Sequence, residues 1–362
     1  MTSLHYDWKY RQYGGNAVIS SEFSDTVPDK VRVFISPDLY YPYQKNKTPF
    51  TGTRLLPYRE HPELTKFLYN LIPAKGRLFG IWSELKKAIK KAWMPGKIHV
   101  IGSSSGYDSR VIAKVIQELR EEKGDSWLGE YWFVECGGEG ENFEKIMKTL
   151  GFTNYIIWEP KYDFDYFKDI HKRFNGLCAF PVNQWYDYFI DTWNEEDIQY
   201  ISGYGGNVSD AMRLTSPYLL EPHRKKRTKL KDRLRFYFRH QYYYQISAFR
   251  EPKYSFHPFW SWRYITSVAG YEHNEGRQAE HLCRHFVPEC EHIKRLEILG
   301  EVTANGHRTV KPEELKKMYE WFKSTRYGKM STVKPSDSIK YSRWWLDYCI
   351  ASYVEANNID VR

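Results

Sequence analysis

The feature that most constrains the fold of this chain is a β-branched run that passes through small residues into an amphipathic helix. Residues 97–124 read KIHVIGSSSGYDSRVIAKVIQELREEKG. The run at 98–101 predicts a buried strand, and apolar residues then recur at helical spacing, namely Val111, Ile112, Val115, Ile116 and Leu119. Such a strand, turn and helix presents backbone N–H groups to an anion. We therefore predict a phosphate site in this turn, where Asp108 is placed to hold a divalent cation.

Two other interpretations fit the same turn. The spacing Gly102-x-Ser104-x-Gly106 also matches the nucleophile elbow of α/β-hydrolases, which needs a later acid and then a histidine. Candidate histidines for that role are His257, His273 and His307. The third interpretation is a purely structural turn, because serine and glycine suit tight turns. The turn alone leaves all three open.

The surrounding pattern predicts an α/β fold with a doubly wound, Rossmann-like parallel sheet and a helical C-terminal half. Helices at 79–93 and 141–150 alternate with further strands at 130–136, 154–158 and 197–202. The glycine-rich turn at 203–206 follows the last of these strands. Since the carboxyl ends of parallel strands meet at one edge, both turns are expected at that edge.

The chain is expected to divide into three parts. Residues 1–60 are predicted to form a small irregular or β region, which includes a strand at 31–35. Residues 61–210 are predicted to form the α/β core. Residues 211–362, in which strand signals nearly vanish, are predicted to form a helical subdomain. Its predicted helices lie around 223–247, 258–271, 275–286, 312–325 and 338–356.

Composition limits the class of protein. The sequence has no apolar run of membrane-spanning length and begins without the apolar segment of a secretory signal, and its five cysteines are scattered. We therefore expect a cytoplasmic protein with no membrane partner. The net charge is +9, and the basic, aromatic stretch at 223–239 contains the single acidic residue Asp232. That stretch fits either a nucleic-acid contact or a solvated helix face.

Three segments resemble one enzyme family. Residues 104–109, SSGYDS, resemble the SGGxDS pyrophosphate loop of N-type ATP pyrophosphatases. Residues 202–207, SGYGGN, resemble the SGDGGDE turn of the asparagine synthetase and β-lactam synthetase branch, and 257–265, HPFWSWRYI, resemble its RxPFLDxxLV segment. The three occur in the order of the family, over roughly residues 95–300. The resemblance implies an adenine nucleotide α-hydrolase-like fold.

The resemblance also implies a reaction. Such enzymes bind ATP and Mg²⁺, transfer AMP to a carboxylate with release of pyrophosphate, and let an amine or ammonia attack the acyl-adenylate to form an amide. The residues implied for phosphate are Ser103, Ser104, Ser105, Gly106, Asp108 and Ser109. Those implied for adenine and ribose are Val134 and Glu135, and those for the acyl-adenylate are Gly203, Gly205 and Gly206. Asp108 and Asn207 occupy the metal positions, and Asp108 and Lys294 are the catalytic candidates.

The sequence departs from the family pattern at several positions. Ser105 replaces the first loop glycine, which requires a negative φ at that residue. Tyr204, Asn207 and Val208 replace acidic residues of the second turn, and Asp210 follows shortly after. A catalytically degenerate relative that binds nucleotide or nucleic acid, or an enzyme of this type that modifies nucleic acid, is therefore the alternative function. Position 2 is threonine, so no N-terminal cysteine nucleophile is expected, and ammonia would come from solution or a separate donor.

A second candidate cluster contains cysteine and histidine. His281, Cys283 and His285, with Cys290 and His292 nearby, are residue types that bind zinc. The segment reads as a helix, however, on which alternate positions splay apart. We interpret it as a structural helix with a buried cysteine and exposed histidine.

Overall fold

The structure is a computed structural model of the chain. It describes residues 30–31, 77–135, 140–158, 163–170, 192–203, 254–261, 264, 267–268, 278–293, 311–334, 343–358 and 360–361. The strands in these ranges are β1 (Lys30–Val31), β2 (Ile98–Ser103), β3 (Tyr131–Glu135), β4 (Tyr155–Ile157), β5 (Ile198–Ser202), β6 (Ser255–Phe256) and β7 (Asp360–Val361). The helices are α1 (Leu78–Ala92), α2 (Tyr107–Lys123), α3 (Asp125–Leu128), α4 (Gly140–Thr149), α5 (Phe164–Lys168), α6 (Gln278–Phe286), α7 (Pro312–Ser324), α8 (Arg326–Met330) and α9 (Arg343–Ala356).

The main sheet is parallel throughout and has the strand order β4-β3-β2-β5-β6. From the central strand β2 the chain moves to β3 and β4 on one side, and then returns to β5 and β6 on the other side. The register aligns Gly102 with Val134 on one neighbour and with Ser202 on the other. The carboxyl ends of β2, β3 and β5 therefore lie side by side.

The two faces of the sheet have different apolar cores, because successive side chains of a strand point to opposite faces. Ile101, Phe133 and Ile201 belong to a core that includes the buried faces of α1, α2 and α4. The other face carries a smaller core, and the partly buried Trp158 and Trp193 pack against it. The smaller core consists of Val100, Val134, Ile198 and Tyr200.

A second group of helices is built around aromatic side chains. α7, α8 and α9 pack on one another, and α7 also contacts α5. Trp344, Trp345 and Tyr348 are buried on α9, and the ring of Trp345 meets that of Phe167 edge to face at 5.7 Å. Burial of large rings is the main driving force for this packing.

The structure confirms the α/β class with a parallel sheet. The predicted strands at 130–136, 154–158 and 197–202 and the predicted helices at 79–93 and 141–150 are present within one or two residues at each end. In the C-terminal half, α6, α7 and α9 match the expected helices as far as they are described. The helix expected around 223–247 lies outside the described residues, and so does most of the region at 1–60.

The C-terminal half differs from the expected helical subdomain in two details. Strand signals nearly vanish from its sequence, yet β6 joins the main sheet beside β5, and β7 pairs with β1 in a second small sheet. Each of these strands has two residues, which is too short for a period of two to register in the sequence. The helix expected around 258–271 is present in part: Pro258–Trp260 form a 3₁₀ turn, Ser261 is extended, and residues 264, 267 and 268 are helical.

In the part of the chain that the structure describes, no helix is both long enough and apolar enough to cross a bilayer.

Candidate functional site

The two glycine-rich turns follow the neighbouring strands β2 and β5, whose carboxyl ends lie at the same edge of the sheet. Gly203, the one residue of the second turn that the structure describes, lies directly against the first turn of α2. A Cβ atom at Gly203 would lie 3.0 Å from the Asp108 Cβ and 3.3 Å from its carbonyl carbon. Since only glycine fits this approach without a shift of its neighbours, the close contact explains the residue type at 203. Gly205, Gly206 and Asn207 lie outside the described residues.

The first turn is held by its own serine hydroxyl groups. The Ser104 amide donates to Ser109 Oγ at 2.9 Å, and the two hydroxyl oxygens are 3.2 Å apart. The Gly106 amide in turn donates to Ser104 Oγ at 3.1 Å. These bonds close the loop onto the start of α2 and fix the serines at both of its ends.

The first turn of α2 carries the electrostatic character of an anion site. The helix is 17 residues long, and its N-cap, Gly106, supplies no side chain to cap the first N–H groups. Ser104, Gly106 and Asp108 are partly exposed at this edge, whereas Ser105 and Ser109 are buried. Helix N–H groups and the positive end of the helix dipole favour a negatively charged ligand here.

Ser103, the last residue of β2, adds a buried hydroxyl group to the base of the turn. Its side chain is 1% exposed, and its Oγ has no hydrogen-bond partner among the described residues. A buried polar group without a partner costs roughly 1–3 kcal/mol, which an ordered water or a ligand oxygen would remove.

The backbone of the turn bears on the other interpretations. Among the described residues Asn358 is the one non-glycine residue with positive φ, so Ser105 meets the requirement set by its replacement of glycine. Ser104 likewise lacks the strained backbone of a nucleophile elbow. The Ser104 hydroxyl contacts Ser109 and Gly106, and the described residues place no histidine on it. Within the described ranges, the geometry of a hydrolase nucleophile is therefore not present at Ser104; His273 and His307 lie outside those ranges.

Arg110 joins the turn to a distant segment of the chain. This side chain is 1% exposed, and its guanidinium donates to the carbonyl oxygens of Ser105 at 2.9 Å, Cys290 at 2.8 Å and Ile293 at 2.7 Å. One buried cation thus fixes the loop and the 3₁₀ turn Pro288–Cys290 relative to each other. Lys294 itself lies outside the described residues, directly after Ile293.

The thiol groups near Arg110 are not reactive. Burial raises the pKa of Cys283 to about 12 and that of Cys290 to about 11, because desolvation outweighs the nearby positive charge of Arg110. On α6, Cys283 is buried and His285 is exposed, in agreement with the structural interpretation of this helix. In the ranges the structure covers, no three His, Cys, Asp or Glu side chains are grouped to hold a metal ion.

A serine and a histidine lie beside the second turn. Ser202 Oγ, at the end of β5, is 2.7 Å from Nδ1 of His257, the residue that follows β6. Both side chains are buried. Sequence analysis considered His257 as a partner for Ser104, but the structure places it on Ser202 instead.

The residues expected near adenine and ribose are at the end of β3. Val134 packs in the smaller core with Val100, so its side chain is not available to a ligand. Glu135 is fully buried, pairs in register with Ser103, and its carbonyl oxygen accepts a hydrogen bond from the Trp158 amide at 2.9 Å. Any ligand contact at this strand end would therefore come from backbone atoms or require local movement.

Sequence reasoning missed Arg110 and the pairing of Ser202 with His257. Two of the three carbonyl partners of Arg110 are about 180 residues away, and the sequence carries no signal for such contacts. The Ser202–His257 pair had a weak signal, since each residue belongs to a segment that resembles the family, but the contact depends on the unpredicted strand β6.

Comparison of the sequence with models of protein families found no match, and comparison with curated proteins found none either.

Proposed function

We propose that this protein is an ATP-dependent ligase that adenylates a carboxylate, releases pyrophosphate, and forms an amide when an amine or ammonia attacks. The observation that carries the proposal is the contact of Gly203 with Asp108, which joins two separate glycine-rich turns into one site. Both turns belong to segments that resemble the synthetase domain of asparagine synthetases. That two independent resemblances meet in space is the strongest support for the assignment.

The proposed fold is the doubly wound, Rossmann-like form of the adenine nucleotide α-hydrolase-like class. The strand order reverses at β2 and β5, and in open α/β sheets ligands bind outside the carboxyl ends of the strands at such a reversal. Parallel crossovers are nearly always right-handed. This rule assigns the connection from β4 to β5 to the face opposite α2, which agrees with the packing of Trp158 and Trp193 on that face.

The residues at this edge suit a magnesium-bound triphosphate. The proposed phosphate contacts are the hydroxyl of Ser104 and the N–H groups at the start of α2, where Gly106 has no Cβ to restrict approach. Asp108 is partly exposed in the first helical turn and would hold the cation. Magnesium in nucleotide sites is commonly held by one or two carboxylates together with the substrate phosphates, so one described acid is sufficient.

The chain itself would contribute orientation and charge stabilisation to the reaction. When bound, Mg²⁺ would neutralise charge on the phosphate oxygens as pyrophosphate departs. The N–H groups and serine hydroxyls are fixed before the substrate arrives, because Ser109 and Arg110 hold the loop from behind. Donors that need no rearrangement during the reaction are the most effective in stabilising a transition state.

The amine donor and the carboxylate are identified only by class. Ammonia from solution, a separate ammonia donor or an amine-bearing substrate each fits the proposed second step. The degenerate nucleotide-binding or nucleic-acid-binding relative remains the competing function. It rests on the loss of the acids at Tyr204, Asn207 and Val208 and on the basic stretch at 223–239.

Pyrophosphate release separates these functions. The assay incubates the protein with ATP and Mg²⁺ and a panel of carboxylates and amines, with Asp108→Ala as the test variant. The matched control is Asp125→Ala, which removes an acid from the start of α3 whose side chain is 92% exposed. We expect substrate-dependent release that Asp108→Ala lowers at least about a hundredfold and Asp125→Ala leaves within about twofold.

The contrary result is equally clear. Absence of pyrophosphate release with every substrate pair, together with an ATP-induced thermal shift, would establish the degenerate nucleotide-binding relative. Nucleic-acid binding that weakens steeply as salt increases would favour the nucleic-acid alternative.

A further inference from the structure

The hydrogen bond between Ser202 and His257 links the ends of two neighbouring strands. The separation of Ser202 Oγ and His257 Nδ1 is 2.7 Å, and the two side chains are 6% and 1% exposed. Ser202 is the last residue of β5 and directly precedes Gly203, which contacts Asp108. The pair therefore lies at the same sheet edge as the proposed phosphate loop, one residue from its closest contact.

Neighbouring residues set the orientation of the imidazole ring. The Tyr200 ring is perpendicular to that of His257, at an interplanar angle of 87° and a centroid distance of 6.2 Å. Tyr200 in turn occupies the space beside Gly102, where a Cβ atom would lie 2.7 Å from the tyrosine hydroxyl oxygen. Gly102 of β2 thus makes room for the ring that flanks His257.

The proposed reaction requires a proton acceptor near the second turn. An amine that attacks an acyl group gains positive charge and must lose a proton before a stable amide forms. The second turn carries Tyr204, Asn207 and Val208 where the family pattern has acids, so it offers no carboxylate of its own there. Asp108 is assigned to the cation. His257 is a base hydrogen-bonded to the residue from which this turn starts.

We propose that Ser202 and His257 form a proton relay for amide formation, an inference that rests on the ligase function proposed above. The amine nitrogen bonds to the acyl carbon, and the bond from that carbon to the AMP oxygen breaks with its electron pair remaining on AMP. The nitrogen gives a proton to Ser202 Oγ, while the hydroxyl proton of Ser202 passes to Nδ1 of His257. Ser202 is therefore a hydroxyl group again after this transfer. Once the amide has left, the imidazolium returns its proton through Ser202 to water in the site, which leaves His257 neutral.

Two partial reactions separate the relay from the ligase function. The first is ATP–pyrophosphate exchange dependent on a carboxylate, measured across a panel of amino acids and dicarboxylates, which reports adenylation alone. The second is amide formation from the active carboxylate, measured with ammonia and with hydroxylamine. Hydroxylamine is largely unprotonated at neutral pH and a strong nucleophile, so it depends less on a protein base.

The variants are His257→Gln, Ser202→Ala and the double variant, with His285→Gln as the control at an exposed histidine on α6. We expect His257→Gln to lower amide formation with ammonia at least about a hundredfold more than it lowers exchange. The loss with hydroxylamine should be much smaller. Since two residues of one relay act as a unit, the double variant should be no slower than the slower single variant.

Each outcome has one meaning. Equal losses in exchange and in amide formation would show a structural role and overturn the relay while the ligase function stands. Full amide formation by both single variants would overturn it in the same way. Ser202→Ala removes one oxygen atom and provides the answer if His257→Gln does not fold. Absence of exchange with every carboxylate in the wild type would overturn the ligase function, and the relay with it.

Discussion

The amino ends of the parallel strands form one edge of the central sheet and the carboxyl ends form the other. Both edges carry polar side chains, but these have different environments. At the amino edge, His99 stacks on Trp93 at 3.8 Å and its Nδ1 lies 3.3 Å from the Glu130 carbonyl oxygen. Gln199 there spans two backbone groups, donating to the Ala92 carbonyl and accepting from the Met94 amide. At the carboxyl edge, serine hydroxyls and helix N–H groups are partly exposed beside glycine.

This difference supports the proposed place of the ligand site. The polar side chains of the amino edge are buried and join strands to neighbouring backbone, so their contribution is to stability. Those of the carboxyl edge are held from behind by buried groups and would present donors to the proposed ligand. Parallel sheets place binding sites at the carboxyl ends of their strands for this reason. Substitutions at each edge test this contrast.

Arg110→Met should be the most damaging change to the frame of the carboxyl edge. The substitution removes the guanidinium donor from three buried carbonyl oxygens, those of Ser105, Cys290 and Ile293, of which Cys290 keeps the Ile293 amide as a donor. We expect the free energy of unfolding to fall by about 3–5 kcal/mol, measured by urea denaturation. The control, Arg284→Met, removes an exposed ion pair with Glu280 and should cost less than about 1 kcal/mol. Equal costs for the two variants would contradict the clamp assigned to Arg110.

The structural role of His99 at the amino edge should be visible in how the free energy of unfolding depends on pH. Desolvation lowers the pKa of His99 to about 4 from its usual 6.5, so the unfolded chain takes up a proton there before the native protein does. Stability should therefore decrease as pH falls from 6.5 towards 4, by roughly 3 kcal/mol from this residue. His99→Gln should flatten this part of the profile, measured as unfolding free energy against pH.

The exposed His285 provides the control for this experiment. His285→Gln is the matched substitution, because it removes an imidazole that is exposed to solvent and not one that is buried. If His99→Gln keeps the full wild-type slope between pH 6.5 and 4, the burial of a neutral imidazole is not the source of the pH dependence.

Gly203→Ala tests the junction of the two turns. The added methyl group would lie 3.0 Å from the Asp108 Cβ and 3.3 Å from its carbonyl carbon, which pushes the turns apart. We expect a loss of about 1–3 kcal/mol in stability and about tenfold in pyrophosphate release. Gly80→Ala places its methyl group in open space on α1 and should raise stability by about 0.5–1 kcal/mol. An unchanged rate of pyrophosphate release in Gly203→Ala would separate the second turn from the site.

The main sheet could be predicted from the sequence where its strands were long enough to show a pattern. The runs that became β2, β3 and β5 are apolar, and turn or helix signals follow them. The alternation of strands and helices predicts a parallel sheet as a class of fold, but it does not give the order of the strands. The neighbouring positions of β2 and β5 required tertiary structure. β6 was missed because a pair of residues, Ser255 and Phe256, carries no period, and its placement depends on pairing with β5.

For the candidate site, too, the sequence showed a pattern in one part only, which is the first turn. The glycine and serine spacing of the first turn indicated an anion site, because local backbone geometry determines such loops. The frame behind it could not be inferred. Arg110 reads as an ordinary polar position on an amphipathic helix, yet it is buried because carbonyl groups from residues 290 and 293 surround it. Contacts of this range are a property of the folded chain, not of any local pattern.

We propose that the carboxyl edge of the sheet, and not the amino edge, binds a nucleotide. Amide hydrogen exchange of the whole protein, with and without ATP and Mg²⁺, tests it most directly, because one experiment reports both edges. We expect added nucleotide to slow exchange at residues 103–109 at least about tenfold and to leave residues 93–99 within about twofold. Protection confined to residues 93–99, or no protection at either edge at saturating nucleotide, would contradict the account.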